Sequence, residues 1–154
     1  MTRRELREHT FLLLFREEFH SPEEMEEQLS FYFDGIELTE DGEGEARYRM
    51  LTAPQGGEAE LTKQRYHEII RHKAEIDAVL SESISGWKLG RVGKVELAIL
   101  RLAVYEMRYD EEVPEKVAIN EAVELAKKFG ADMSAGFING VLAKLTCDKS
   151  VEEE

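Results

Sequence analysis

Residues 95–109 read VELAILRLAVYEMRY, and this stretch decides the class of the fold. Leu97, Ile99, Leu100, Leu102, Ala103, Val104 and Met107 leave few polar positions among them. A helix that is apolar nearly all round is a central, buried one, so the segment predicts a helical core with other helices packed around it.

The flanking sequence supplies those helices. Val113-Pro114 opens the next one, which carries Val117, Ile119, Ala122, Val123, Leu125 and Ala126, and Gly130 is expected to close it as a left-handed cap. Asp132 is expected to cap a last helix through Phe137, Ile138, Val141, Leu142 and Leu145. Upstream, one helical periodicity runs from Leu61 through Tyr66, Ile69, Ile70, Ile76, Leu80 and Ile84 until Ser85-Gly86 breaks it. Trp87 to Gly90 then reads as a turn or a single helical turn.

At the N-terminus Thr2 and Glu5 have capping-box spacing, and Leu6, Phe11, Leu13 and Leu14 give an apolar face to about Glu18. Ser21-Pro22-Glu23-Glu24 is a second start signal, a serine cap followed by proline and acids that suit the helix dipole. Met25, Leu29, Tyr32 and Phe33 continue it, and Asp34-Gly35 closes it. No strand-like alternation survives. The fold class is all-α, a bundle of about six or seven helices without an internal repeat.

Between residues 34 and 58 the periodicity dissolves into glycines and acids, which reads as an acidic loop or insertion. The chain has 154 residues, 42% of them hydrophobic, enough for one domain at residues 1–146 with an acidic, disordered tail at 147–154. No apolar run approaches the roughly 18 to 20 residues of a membrane span, and Phe11 to Phe15 is too short for a signal peptide. The one cysteine, Cys147, makes no internal disulfide and suits a reducing, cytoplasmic setting.

A net charge of −13 argues at first against nucleic acid, because phosphate binding needs local positive charge. The excess is unevenly placed. Residues 17–60 hold fourteen acids against Arg47 and Arg49, while residues 1–16 hold four arginines against Glu5 and Glu8. From residue 61 onward bases and acids balance once the terminal Glu152 to Glu154 are set aside. Charge alone therefore predicts weak non-specific RNA binding and reliance on a partner, without excluding RNA.

Nothing in the sequence supports catalysis or a cofactor. His67 and His72 lie five apart, on different sides of a helix, which disfavours a metal site, and no phosphate-binding glycine loop joins a strand to a helix. Gly136 and Gly140, four apart, are expected to let two helices approach closely.

The candidate binding residues are basic and aromatic. Arg3, Arg4 and Arg7 cluster where the helix dipole prefers acids, and guanidinium groups suit phosphate; an ordinary basic terminus is the competing explanation. Lys127 and Lys128 lead into Phe129, bases beside a ring that either grip and stack on a single strand or complement the helix end and pack inward. Asn120 and Asn139 are read as caps or as hydrogen-bonding groups across a packing seam. Glu96 opens the most apolar helix, as a dipole partner or a contact for another protein.

Residues 113–130, VPEKVAINEAVELAKKFG, closely resemble the NusB family of bacterial transcription antitermination factors, and so do residues 137–142, FINGVL. Val95-Glu96, Ile99 to Glu106 and Trp87 look like the central helix of that family and its preceding tryptophan; Arg3-Arg4 with Arg7-Glu8 is similar to its arginine segment. The likeness covers about residues 3–18 and 61–145.

The resemblance implies seven helices in two sub-bundles and an adaptor without catalytic activity. It also implies binding, with the ribosomal protein NusE, to the boxA element of nascent RNA, so that RNA polymerase passes Rho-dependent terminators, notably in ribosomal RNA operons. By position it assigns RNA binding to Arg3, Arg4, Arg7, Lys127, Phe129 and Phe137, and NusE binding to Phe15 and Glu96. Gly136 stands where some members carry a base and the arginine run is short, so weak binding of boxA by this chain alone is expected. Two alternatives stay open: a module like the N-terminal domain of ribosomal RNA cytosine methyltransferases, and a homodimer that occludes its RNA face. The first would need a further α/β domain, and the chain as read ends at Glu154.

Overall fold

The structure, a computed structural model, describes residues 1–34, 53–84 and 89–153. Among them lie seven α-helices and no strand, in agreement with the all-α expectation. They are α1 Arg3–Glu17, α2 Pro22–Phe33, α3 Gly56–Arg71, α4 Lys73–Ser83, α5 Lys94–Tyr109, α6 Glu115–Phe129 and α7 Ser134–Glu153, with a 3₁₀ turn at Leu89–Arg91. Most of the acidic stretch and Trp87 fall outside the described residues. The chain divides into two compact units, Met1–His67 and Glu68–Glu154.

In the first unit the expected capping box forms at Thr2, and the serine cap expected at Ser21 closes as a second one. Thr2 Oγ1 accepts the Glu5 amide and Glu5 Oε1 accepts the Thr2 amide, each at 3.1 Å. Ser21 and Glu24 repeat the arrangement at 3.2 and 2.8 Å, with Pro22 in the first turn. These bonds hold both glutamate carboxyls below their usual range, the acceptance from the backbone amide being the largest cause. Phe11, Leu13, Leu14, Met25 and Leu29 are buried, as their spacing requires. His9 and Thr10 are buried too, which no apolar pattern foretells. The His9 ring meets the Tyr32 hydroxyl, and Thr10 Oγ1 donates to the Leu6 carbonyl one turn back at 3.1 Å, so neither leaves an unpaired polar group.

The second unit is built around α5. Every residue from Leu97 to Met107 is buried, and α4, α6 and α7 pack against this helix. Two charged residues are enclosed with the apolar ones. Arg101 is held by Asp77 of α4, and Glu106 is 2% exposed with no side-chain polar atom left unsatisfied.

Five local expectations need correction. The periodicity from Leu61 to Ile84 is not one helix: it breaks at His72, between α3 and α4. The amide of His72 still reaches the Glu68 carbonyl at 3.1 Å, and its own carbonyl takes the Ile76 amide at 2.9 Å, so the apolar spacing passes through the break undisturbed. The imidazole stacks on Tyr109 of α5 at 4.1 Å between centroids. Gly130 is extended (φ −94°, ψ 178°) rather than left-handed. A Cβ there would lie 2.7 Å from Ser134 Cβ and 2.8 Å from the Ala126 carbonyl oxygen, so space and not φ demands glycine.

Asp132 is exposed in a turn and does not cap α7, which starts two residues later at Ser134. The Ser134 hydroxyl takes the amide of Ala131 at 3.0 Å instead. Finally, Gly136 and Gly140 are no contact seam: among the described residues nothing lies within 4 Å of a Cβ built at either. Asn120 and Asn139 are exposed as well, so neither serves a packing seam.

Candidate functional site

In the first unit Arg3 and Arg4 project from the opening turn of α1 and are exposed; Arg7, one turn on, is half-buried. The fourth arginine of this segment has a packing task. Arg16 donates to Gln28 Oε1 at 3.2 Å and lies 5.0 Å from the centre of the Tyr32 ring. Phe15 is half-buried in a run of rings along α1, 6.2 Å from Phe11 and edge-on to Phe19 at 5.1 Å between centroids. Phe19 is 56% exposed and ends that run at the surface. Its i,i+4 spacing from Phe15 was a signal available in the sequence.

In the second unit the basic residues sit at the end of α6, where the helix dipole favours cations. Lys127 is exposed and 3.6 Å from Glu124, one turn back, an exposed pair that restrains it little. Lys128 Nζ stands 5.5 Å from the centre of the Phe129 ring, and Phe129 itself is half-buried. Part of the Phe129 ring therefore packs, and the rest remains at the surface beside the Lys128 ammonium group.

Glu96 and Phe137, assigned to different ligands by the resemblance, line one cleft of about 280 Å³ with Arg91, Gly93, Met133 and Ser134. Glu96 stands in the first turn of α5, its carboxylate folded over the capping Gly93: a Cβ built there would fall 2.1 Å from Oε1. Its other oxygen accepts from the Ser134 hydroxyl at 2.5 Å. Phe137, half-buried on α7, also lines a second cleft of about 290 Å³, beside Gly136, Gly140 and Lys144. The missing Cβ atoms of the two glycines thus leave a recess rather than a helix contact.

Met133 was not foreseen. It is 84% exposed on the turn between α6 and α7, an apolar side chain at the edge of the Glu96–Phe137 cleft. Arg91 and Ser134 also escaped the sequence reading, because no periodicity marks them; they are brought in by the 3₁₀ turn and by the start of α7. Exposed guanidinium and ammonium groups, rings with accessible faces and one tethered carboxylate suit recognition of a polyanion and of a protein surface.

Comparison with known proteins points the same way. The family profile described as the NusB family matches residues 4–146. A transcription antitermination protein NusB from Lachnoclostridium phytofermentans is 52% identical over 145 residues, covering 94% of this chain and 98% of that protein. Its counterpart from Agathobacter rectalis is 48% identical over 144 residues, with the same coverage of both chains. Among solved structures, T. maritima NusB superposes with a TM-score of 0.69 at 27% identity, covering 94% of this chain and 89% of that one. The antitermination factors NusB and NusE in complex with double-stranded RNA include a chain of the same fold, with a TM-score of 0.66 at 24% identity, covering 92% of this chain and 93% of that one.

Proposed function

Because the chain belongs to the NusB family, we propose that it is a transcription antitermination factor, a non-catalytic adaptor that binds boxA RNA together with NusE. The observation that carries this reading is the 52% identity to an antitermination protein over 98% of that protein's length. The NusB–NusE–RNA complex of the same fold supports the choice of partners. Acting in the cytoplasm with RNA polymerase, the pair promotes read-through of Rho-dependent terminators, notably in ribosomal RNA operons.

The binding domain is residues 1–146. Arg3, Arg4 and Arg7 of α1 and Lys127 of α6 neutralise RNA phosphates, and Phe129 and Phe137 offer ring faces to unpaired bases. Phe15 and Glu96 engage NusE, the first through apolar area and the second as a hydrogen-bonded carboxylate. An acidic chain with few phosphate contacts binds RNA weakly alone, so NusE supplies part of the affinity.

The test is a titration of boxA RNA with and without NusE. Tight binding in the presence of NusE is expected, weakened by Arg4→Ala with a shallower dependence on salt. Unchanged affinity and slope in that variant would remove the arginine from the RNA contact. Absence of binding to both RNA and NusE would overturn the proposed function.

A further inference from the structure

One hydroxyl joins the two sides of the Glu96–Phe137 cleft. Ser134 is 6% exposed, donates to Glu96 Oε2 at 2.5 Å and accepts the amide of Ala131 at 3.0 Å. It is the first residue of α7, and in the turn that follows the Phe137 amide reaches the Met133 carbonyl at 3.2 Å. The close approach of Gly130 to Ser134 leaves no room for a Cβ between them. A single side chain therefore connects the α5 carboxylate, the α6–α7 turn and the beginning of the helix that carries Phe137.

We propose that Ser134 is a positioning residue that couples protein binding at Glu96 to RNA binding at Phe137 and at the Lys127–Phe129 end of α6. The proposal rests on the function assigned above. A donor from the protein partner that engages Glu96 fixes its carboxylate, and the carboxylate fixes the Ser134 hydroxyl. That hydroxyl in turn orders the turn at residues 130–133 and the first turn of α7. Each ligand then braces one side of a hydrogen-bonded link whose other side the second ligand uses, so each ligand tightens the other by the same factor. A hydroxyl that served only to cap α7 would, when removed, weaken every complex alike and leave that factor unchanged.

The experiment measures boxA RNA affinity of the full chain without NusE and at saturating NusE, and takes the ratio. Ser134→Ala is expected to lower the ratio at least about fivefold. Glu96→Ala breaks the same bond from the other side and stands alone if the Ser134 variant does not fold. The double variant is expected to lower the ratio no further than either single one. Glu96→Gln, whose amide oxygen still accepts from Ser134, is expected to keep the ratio even if NusE binds it less tightly.

A ratio in the Ser134 and Glu96 alanine variants within about twofold of the unaltered chain overturns the coupling. So does a ratio of one in the unaltered chain, which leaves RNA and NusE binding standing. Absence of both binding events overturns the proposed function itself.

Discussion

Arg101 and Asp77 form a two-point ion pair between α5 and α4, with Nε to Oδ1 at 2.9 Å and a terminal nitrogen to Oδ2 at 3.0 Å. The arginine side chain is 8% exposed and the aspartate 25%, so the pair lies at the rim of the core and is only partly screened by water. Asp77→Ala is expected to destabilise the chain by about 2 kcal/mol, since a mostly buried guanidinium loses its bidentate acceptor. The double change Asp77→Leu with Arg101→Met should cost less than the single one. Urea midpoints measure both, and equal losses in the single and double variants would show that the ion pair is not what matters at this seam.

The glycines of α6 and α7 are expected to respond in opposite directions. Gly130→Ala forces a Cβ to within 2.7 Å of Ser134 Cβ and 2.8 Å of a backbone carbonyl, neither of which yields freely. A loss of about 1–3 kcal/mol is expected. Gly140→Ala adds a methyl where nothing described lies within 4 Å and replaces a poor helix former, so a gain of about 0.5–1 kcal/mol is expected. Thermal unfolding of the two variants settles the matter, and a gain at position 130 would contradict the close approach described here.

The capping carboxylates set an acid limb of stability. Glu5 and Glu24 titrate below their ordinary value of 4.5 in the folded chain, so their contribution is present above about pH 4.5 and is lost as pH falls through the depressed values. Glu75 behaves alike, chiefly because the Tyr109 hydroxyl donates to it at 2.6 Å. The same bond raises the Tyr109 pKa, so its contribution is complete below pH 10 and is lost as pH rises through the elevated value. Tyr109→Phe is expected to flatten the alkaline limb and part of the acid limb, and Glu24→Gln to flatten the acid limb alone. Denaturation midpoints across pH check both; an alkaline limb that persists in Tyr109→Phe would assign it elsewhere.

At the end of α6 charge and ring are separable. Lys127→Ala is expected to weaken boxA binding and to reduce the salt slope by about 0.7, one phosphate contact with a single strand. Phe129→Ala should cost about 1–3 kcal/mol of RNA affinity and leave the slope unchanged. Affinities measured at several salt concentrations distinguish the two, and a slope change in the Phe129 variant would point to displacement of its neighbour Lys128.

The all-α class and most of the helices were legible in the chain alone, the division of α3 from α4 excepted. The capping box at Thr2 and the serine cap at Ser21 are local chemistry written within four residues, and both form. The wholly apolar run of α5 can be satisfied only at the centre of a helical core, and it is buried there. The arginines of α1 and the lysines ending α6 were also legible, because charge and helix position are properties of the chain.

Only the tertiary structure decided what depends on distance through space. The break at His72 leaves the apolar spacing intact, and so periodicity could not register it. Gly130 looked like a conformational choice but is a steric one, set by Ser134 four residues on. The meeting of Glu96 with Ser134 and Phe137 across one cleft joins residues about forty positions apart, and Met133 gained its exposure from the turn that carries it. Helix propensity and capping act over a few residues, whereas a cleft is made by the packing of helix ends, and packing is fixed only once the whole core has closed.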